Sequence, residues 1–416
     1  MISIKQKIYN FLRWTEKYTK TDMVYLAKGG FWLTLSKIIG IIVSFLLSIA
    51  FANLLSKNSY GTYKYVLSIA GILSVAALPG LNIALSRAIA KGREGIIKEA
   101  IKTKIKWSFL GFLASAILAA YYFYKNNFTL GAGFIIVALY IPLSEGIAVY
   151  GSYLQGKKSF KALSLANIAN RIFTTTAIIT ALFISKNPLI IILAFFSSSA
   201  FIQLFLMWLV FRKQQLNKET DSETINFGKH LSLMSIIGSI SNQFDKIIMW
   251  HFFGATQLAV YSFSLAPLNQ LRTMLRSFGT LSLPKMAEKD KDTLKRTLPP
   301  KILKFSLILT GPTLLYILLA PYLYRLAFPQ YLEAVKYSQI LALSLLFYPA
   351  SLIGTALTAQ AQKKHLYIIR TLNPAVKMAM MAIFIPLWGI YGAVASLLLS
   401  KAANLCILFI LFKKMQ

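Results

Sequence analysis

The sequence predicts an all-α integral membrane protein with twelve transmembrane helices in two six-helix lobes related by a parallel internal repeat. Of its 416 residues, 56% are hydrophobic and the mean hydropathy is +0.60, which is too apolar for a water-soluble chain of this length. The apolar residues fall into blocks of about 20, the length that a helix needs to cross about 30 Å of hydrocarbon. The third observation is that the two halves of the chain resemble each other.

The apolar blocks divide the chain into predicted segments. Residues 1–22 lack a continuous apolar core and form a cytoplasmic or interfacial N-terminal segment. An N-lobe, 23–211, is followed by a charged cytoplasmic linker, 212–229, then by a C-lobe, 230–412, and a cytoplasmic C-terminus, 413–416. The predicted spans are 23–51, 60–85, 107–124, 130–155, 164–185, 189–211, 230–253, 257–283, 305–324, 334–360, 366–386 and 390–412.

The loop charges predict the orientation of the chain in the membrane. If the N-terminus is cytoplasmic, the segments on that side hold 31 of the 45 Lys and Arg residues, and the opposite loops hold only 5. Cytoplasmic loops of membrane proteins carry an excess of Lys and Arg. The pattern therefore predicts cytoplasmic termini, and most of the net charge of +32 reflects topology rather than a ligand site or nucleic-acid binding.

The two halves align at nearly constant offsets. Gly40 in SKIIG aligns with Gly238 in SIIGS, and Tyr63 aligns with Tyr261 at the same spacing of 198 residues. Later in each half the spacing becomes 206, which pairs Lys157-Lys158 with Lys363-Lys364, Asn167 with Asn373, and Arg171 with Lys377. Parallel repeats of this kind suit alternating access to a central site, with the linker 212–229 as the hinge.

Several functional classes lack support in the sequence. The single cysteine, Cys406, lies in the last apolar block and predicts neither an intrachain disulfide nor a metal cluster. No GxxxxGK[ST] motif is present, so transport is not driven by the chain's own ATP hydrolysis. We expect no catalytic residues, no metal site and no cofactor.

With Lys336 and Arg370 at span ends counted among the loop residues, nine Lys and Arg residues remain inside the predicted spans, where Glu145 and Asp245 are the only acids. A charged residue at the centre of a membrane helix costs about 2.5–3.5 kcal/mol on insertion scales and usually faces a cavity or a partner. Because nine cations cannot all pair with two acids, the missing charge predicts an anionic ligand. The candidate ligands of this anion are Arg272, Arg276, Lys37, Arg171, Lys377 and Lys401, and the candidates for ion coupling are Asp245 and Glu145.

Arg272 is the strongest of these candidates because it lies deep in its span. It stands roughly 22 Å along the eighth span, at 1.5 Å per residue. Arg276 is one turn further on the same face, and two guanidinium groups at that spacing suit phosphate oxygens. For Arg276 a position near the cytoplasmic headgroups is an equal alternative, and Arg171 and Lys377 are also close enough to a span end to reach the membrane surface.

Four stretches of the sequence carry a family resemblance. The first two spans contain SKIIG and then LLSKNSYGTYKY, and the junction between two later spans reads YGSYLQGKKSFKALSLANIANRI in the N-lobe and ALTAQAQKKHLYIIRTLN in the C-lobe. These stretches resemble the corresponding segments of polysaccharide repeat-unit flippases of the O-antigen type, which belong to the multidrug/oligosaccharidyl-lipid/polysaccharide (MOP) superfamily. The resemblance covers nearly the whole chain, but its motifs are loose.

This resemblance implies a V-shaped transporter in the bacterial inner membrane that moves undecaprenyl-pyrophosphate-linked oligosaccharide to the outer leaflet for surface polysaccharide biosynthesis. Its implied partners are that lipid-linked substrate, membrane lipids and the polysaccharide polymerase machinery. In related peptidoglycan-precursor flippases, cations in the first, second and eighth spans are used. Lys37 and Arg272 match two of these positions, whereas Ser74 stands near the third and is uncharged. The chain also lacks the two extra C-terminal spans typical of that branch, which favours the polysaccharide branch.

Two other classes are alternatives. A multidrug or cation antiporter of the same superfamily would need acids rather than nine cations inside its spans. A membrane glycosyltransferase or polymerase would normally need a sizeable extracytoplasmic loop, whereas the longest outward loop here has about ten residues. Drug sensitivity, rather than loss of surface polysaccharide, in cells lacking the protein would identify the antiporter.

Overall fold

A computed structural model describes residues 23–212, 214, 216–287, 290–360 and 362–414, without the side chains of 23–29, 144–146, 222, 277–281, 283–285, 287 and 363. The predicted segment 1–22 lies outside the described residues, as does the side chain of Glu145. All regular elements in the described part are helical, which confirms the predicted fold class.

The helices follow the predicted spans closely. The N-lobe contains α1 (Met23–Leu54), α2 (Lys57–Leu73), α3 (Gly80–Ala90), α4 (Ile96–Tyr124), α5 (Phe128–Ile147), α6 (Val149–Gly156), α7 (Phe160–Ile184) and α8 (Pro188–Phe211). The C-lobe contains α9 (Ser222–Ala287), α10 (Lys291–Ala327), α11 (Ala334–Ala342), α12 (Ser351–Ala359) and α13 (Lys363–Lys413). Short 3₁₀ turns follow α2 (Ser74–Ala77) and α10 (Pro329–Tyr331), and two more separate α11 from α12 (Leu343–Leu345 and Tyr348–Ala350).

Two glycines divide long helices into separate spans. Gly254 in α9 has φ +74° and Gly389 in α13 has φ +56°, a left-handed region that side chains disfavour. We call the two parts of α9, residues 222–253 and 255–287, α9a and α9b. Each glycine stands where the sequence places an outward loop, so a single residue reverses the chain between two predicted spans.

Seven helices in the described part of the chain are long and apolar enough to cross a membrane. The number becomes eight if Lys57–Ala77 and Gly80–Ala90, which are bent by 45°, form one broken span. The chain is therefore a multi-pass membrane protein. We name its two faces by charge. The cation-poor face carries the connections at 55–56, 125–127, 185–187, 254, 328–333 and 389, and the cation-rich face carries those at 91–95, 157–159, 216–221, 290 and 362.

The hydrophobic core is distributed unevenly between these faces. One large cluster joins both lobes near the cation-poor face and includes Tyr60 of α2, Phe263 of α9b and Tyr331. Towards the cation-rich face the core separates into two clusters, one in the N-lobe together with Ile225 at the start of α9a and one in the C-lobe. The two lobes are therefore packed together near one face and have separate cores near the other.

Polar contacts between the lobes reinforce the closure of the cation-poor face. Lys57 forms an ion pair with Glu333, and the amide of Asn53 donates to the carbonyl of Ala327 at 3.1 Å. Gln330 donates to the carbonyl of Asn53 at 3.4 Å. These contacts connect the ends of α1 and α2 to the segment that follows α10.

The linker is held against the N-lobe. Asn217 accepts a hydrogen bond from the backbone N–H of Glu94 at 3.0 Å and donates to the carbonyl of Gly92. The N–H of Gly95 donates to the carbonyl of Glu219 at 2.9 Å. The predicted hinge thus follows the surface of the N-lobe for several residues before α9 begins.

Candidate substrate cavity

A cavity of about 390 Å³ lies between the two lobes. It is lined by α1 and α7 from the N-lobe and by α9b from the C-lobe. The lining residues are Ser36, Lys37, Gly40, Ile41, Ser44, Asn167, Arg171, Asn269, Gln270 and Thr273. Most of them are polar, although these helices cross an apolar environment, so the cavity is suited to a polar ligand.

Two of the predicted cations, Lys37 and Arg171, line this cavity together. Lys37 shares one face of α1 with Gly40 and Ser44, because residues three or four apart lie on the same side of a helix. α7 packs along α1, and the Arg171 guanidinium donates to the hydroxyl of Ser44. Both cationic side chains are exposed in the cavity, where they provide positive charge and several hydrogen-bond donors.

Arg272 does not line this cavity. Its guanidinium donates to the hydroxyl of Ser344 at 2.7 Å, and to the side-chain oxygen of Asn269 at 3.3 Å. Arg272 thus points to Ser344 of the C-lobe, and its hydrogen bond to Asn269 connects it to a lining residue of the cavity. The expectation that Arg272 itself faces the cavity is not met in this conformation.

The remaining predicted cations form a separate group inside the C-lobe, which we call the C-lobe cation cluster: Arg272, Arg276, Lys377 and Lys401. Lys401 interacts electrostatically with the other three. Arg276 lies against the hydroxyl of Tyr348. Arg276 and Lys401 are exposed, whereas Arg272 and Lys377 are partly buried. The predicted site is therefore divided between a cavity pair, Lys37 and Arg171, and this cluster.

Asp245 is the one predicted intramembrane acid whose side chain the structure describes. It is buried, with 5% of its surface exposed, and it accepts a hydrogen bond from the hydroxyl of Tyr261 at 2.7 Å. Lys377 and Arg272 interact with it electrostatically. The side-chain amino group of the adjacent Lys246 donates to the side-chain oxygen of Gln243 at 2.6 Å rather than to Asp245.

The structure also adds residues that the sequence did not single out as site residues. Asn167, Gln270 and Thr273 line the cavity. The sequence pattern that could have identified them is the occurrence of polar residues at helical spacing within apolar spans. Lys104 was assigned to a charged loop, but it is fully buried in α4 and donates to the amide oxygen of Asn82 at 2.9 Å. This assignment was wrong because α4 begins at Ile96, well before the predicted span.

A group of three or more His, Cys, Asp or Glu residues suited to a metal ion is not found among the described residues. The described part of the chain is a multi-pass, all-helical membrane protein with a polar cavity between two lobes.

The chain belongs to the polysaccharide biosynthesis protein family, whose profile matches residues 26–289. No curated protein matches it in sequence.

Solved structures share the fold at low sequence identity. A lipid II flippase, MurJ, in an inward closed conformation superimposes with a TM-score of 0.67 at 14% identity, over 91% of this chain and 87% of that one. An outward-facing multidrug resistance MATE family transporter of the MOP superfamily gives 0.58 at 15% identity, over 93% and 95% of the two chains. A MOP superfamily transporter from Pyrococcus furiosus gives 0.57 at 15% identity, over 93% and 95%.

Proposed function

We propose that the protein moves undecaprenyl-pyrophosphate-linked oligosaccharide from the cytoplasmic to the outer leaflet of the bacterial inner membrane by alternating access. The observation that carries this proposal is that Lys37 and Arg171 both line one polar cavity between the lobes. Membership of the polysaccharide biosynthesis family supports the substrate class.

Each part of the substrate has a suitable environment in this mechanism. The pyrophosphate carries the negative charge, and Lys and Arg side chains in a cavity of low dielectric constant bind phosphate oxygens strongly. The prenyl chain needs no protein site, because it remains in the hydrocarbon of the bilayer. The separated cores near the cation-rich face, proposed to be cytoplasmic, support entry from that side.

The C-lobe cation cluster provides a second group of positive charges that could attract the pyrophosphate after the lobes rearrange. Arg272 holds Asn269 at the cavity wall, and the cluster lies on the C-lobe side of that wall. We assign Lys37 and Arg171 to direct contact with the pyrophosphate in this conformation. Arg272, Arg276, Lys377 and Lys401 attract the same anion from the opposite lobe when the lobes rearrange.

Flipping in liposomes tests this proposal. A pyrophosphate-linked lipid oligosaccharide is supplied to vesicles containing wild type, Lys37→Ala, Arg171→Ala or Arg272→Ala, and its appearance in the opposite leaflet is measured. We expect each substitution to lower the transport rate by about tenfold or more, since a charged hydrogen bond is worth about 1.5–3 kcal/mol. Lys218→Ala, in the linker, is the matched control. Normal transport by both cavity variants, Lys37→Ala and Arg171→Ala, would refute the cation-cavity mechanism.

We further propose that Asp245 couples transport to an ion. It is a buried carboxyl group inside a membrane-spanning helix, near the cationic side chains of Lys377 and Arg272, and intramembrane acids commonly serve in ion coupling. Glu145 is the other candidate. Asp245→Asn should leave binding of the pyrophosphate lipid intact but abolish the response of its transport to an imposed proton or sodium gradient. A response equal to that of wild type would exclude Asp245 from coupling.

A further inference from the structure

A second pocket, of about 400 Å³, opens on the cation-poor face. We call it the asparagine pocket; its polar and aromatic lining consists of Asn58, Ser59, Thr62, Asn127, Thr129 and Trp250. Its volume falls in the range of about 300–1,000 Å³ that is usual for small-molecule sites. It is separate from the cavity of Lys37 and Arg171, with which it shares no lining residue.

The fold brings three helix beginnings and one helix break together at this pocket. Asn58 and Ser59 lie in the first turn of α2, Asn127 caps α5, and Pro188 begins α8. Trp250 comes from the end of α9a, just before the break at Gly254. The pocket thus joins N-lobe connections to a C-lobe helix, so its shape depends on how the lobes are arranged.

Several polar groups of the lining are available to a ligand. Within the described residues, the hydroxyl of Thr129, the indole N–H of Trp250 and the side-chain N–H groups of Asn58 and Asn127 donate no hydrogen bond to another group of the protein. The side-chain oxygen of Asn127 is already used, since it accepts from the N–H of Leu130 at 3.1 Å. The pocket therefore offers mainly unused amide, hydroxyl and indole donors at an open surface.

Trp250 is held in a fixed orientation. One face of its ring stacks on Tyr65, with centroids 4.5 Å apart and planes 13° apart. Tyr65 is fixed in turn by a 2.7 Å hydrogen bond between its hydroxyl and that of Tyr122. A rigid aromatic ring beside several amide and hydroxyl groups suits a pyranose, which has an apolar C–H face and a rim of hydroxyl groups.

The lining has no ionisable side chain, which distinguishes it from the cation cavity. A charged ligand would lose its hydration here without gaining an opposite charge. From this chemistry we propose that the asparagine pocket binds a neutral sugar unit. The assignment deepens the proposed function, and it rests on that function only in treating the sugar as part of a lipid-linked substrate.

Binding of free sugars tests the site independently of transport. Maltose, cellobiose, lactose and N,N′-diacetylchitobiose are added to the full chain in nanodiscs, which avoids glycoside detergents, and saturation transfer to each sugar is measured by NMR. We expect transfer to at least one neutral disaccharide, and weaker transfer to the anionic digalacturonate. The absence of transfer to every neutral disaccharide would overturn the proposal.

A double variant, Asn58→Ala with Asn127→Ser, locates the binding. Serine retains an oxygen that can cap α5, so the variant removes the amide donors without removing the cap. We expect it to raise the dissociation constant of the bound disaccharide about tenfold, as expected for the loss of one or two hydrogen bonds. Asn226→Ala, which changes an exposed asparagine on the other side of the molecule, is the matched control. Unchanged binding in the double variant, with its thermal midpoint intact, would place the sugar elsewhere.

A flipping assay tests whether the asparagine pocket binds the sugar of a lipid-linked substrate as well as free sugar. The double variant should slow the flipping of a glycosylated pyrophosphate lipid more than that of the bare undecaprenyl pyrophosphate, whereas Lys37→Ala slows both. If wild type moves neither lipid, the proposed function fails while the disaccharide result still decides the sugar site. If both lipids are slowed equally, the pocket is not a subsite for the transported glycan.

Discussion

At the scale of single residues, the most unusual environment is that of Asp245. Its carboxyl group lies at 5% exposure in a helix that crosses the membrane, and it is bonded to the hydroxyl of Tyr261, which is fully buried. Buried charged groups are retained where their hydrogen-bonding capacity is satisfied. Tyr261 therefore contributes to keeping an acid inside the C-lobe.

We expect Tyr261→Phe to destabilise the protein by about 1.5–3 kcal/mol, because it removes a buried hydrogen bond to a carboxylate. Tyr324→Phe is a close control, since Tyr324 is equally buried but donates at 2.9 Å to the backbone carbonyl of Phe263. The Tyr324→Phe substitution should lower the free energy of unfolding by about 0.5–1.5 kcal/mol. Thermal unfolding midpoints in nanodiscs compare the two. Equal shifts of the unfolding midpoint would mean that the hydrogen bond from Tyr261 to the carboxylate is no stronger than the one from Tyr324 to a backbone carbonyl.

The same residues show how far the sequence could predict the site. Lys37 and Arg171 were identified because cations in apolar helices are rare, and they do line one cavity. Arg272 was ranked above them by its depth in the span, but depth does not determine the direction of a side chain. The Ser344 hydroxyl that binds it lies 72 residues away and carries no charge, so nothing in the sequence connects the two.

At the scale of elements, the linker illustrates how a predicted hinge becomes partly fixed. Besides the backbone contacts of 217–219, Asp221 forms an ion pair with Arg93. Desolvation of Asp221 would raise the pKa of its carboxyl group, but hydrogen bonds from Arg93 and Thr224 and from the N–H of Glu223 outweigh it and lower the pKa below its ordinary value. Docking of the linker therefore depends on the ionised carboxylate.

The lowered pKa determines the sign of the pH dependence. The carboxyl group of Asp221 ionises more readily in the docked linker than in the free linker. Its contribution to docking is therefore fully present above the ordinary aspartate pKa of about 3.9, and it is lost as pH falls through the lowered pKa of the docked form. At neutral pH, Asp221→Asn should speed hydrogen exchange of the Gly95 amide, which donates to Glu219 in the docked linker. Glu223→Gln, an exposed acid beside it, should change little. No difference between the variants would show that the backbone contacts alone hold the linker.

The elements themselves were largely predictable, and the exceptions have local causes. Apolar blocks of membrane-spanning length are a strong signal, and the helices occupy all the predicted spans. The break after α2 was not predicted, because it depends on Leu78 adopting a left-handed conformation, with φ +56°, just before Pro79. The Pro79-Gly80 pair that follows is a turn signal, but the predicted span 60–85 runs through it because the flanking residues are apolar. Gly254 and Gly389, in contrast, stand between predicted spans and suit the sharp reversals at their positions.

At the scale of the whole molecule, the two lobes are joined at one face and along a seam between α2–α3 and α9a. The seam is tight: a side chain at Gly80 would overlap the backbone of Ser232, and the N–H of Gly80 donates to the hydroxyl of Ser232 at 3.0 Å. Towards the other face, a side chain at Gly61 would overlap the backbone of Ala255, the first residue of α9b. The N-lobe is therefore in close contact with both parts of α9, while α9a is also hydrogen-bonded to α13. Opening of the cation-poor face therefore requires the contacts of the N-lobe with α9b and with the segment after α10 to separate.

The closure of the cation-poor face depends more on aromatic packing than on charge. Lys57 and Glu333 are 31% and 47% exposed, and exposed ion pairs contribute only about 0–1 kcal/mol. Tyr60, in contrast, is 3% exposed and packs across the lobe boundary on Phe263, with ring centroids 4.7 Å apart. Truncation of a buried aromatic side chain typically costs about 3–5 kcal/mol, part of which here comes from contacts within the N-lobe.

Spin labels on Lys125→Cys and Lys336→Cys, exposed positions on opposite lobes, report this closure in a Cys406→Ser background that has no other cysteine. We expect Tyr60→Ala to add a population with a longer inter-label distance. Lys57→Gln should change the closed-to-open ratio by no more than about fivefold, which corresponds to 1 kcal/mol. Tyr122→Ala, whose ring contacts lie within the N-lobe, controls for loosening of that lobe alone. If Lys57→Gln opens the face as far as Tyr60→Ala does, the ion pair rather than the aromatic packing holds the lobes together.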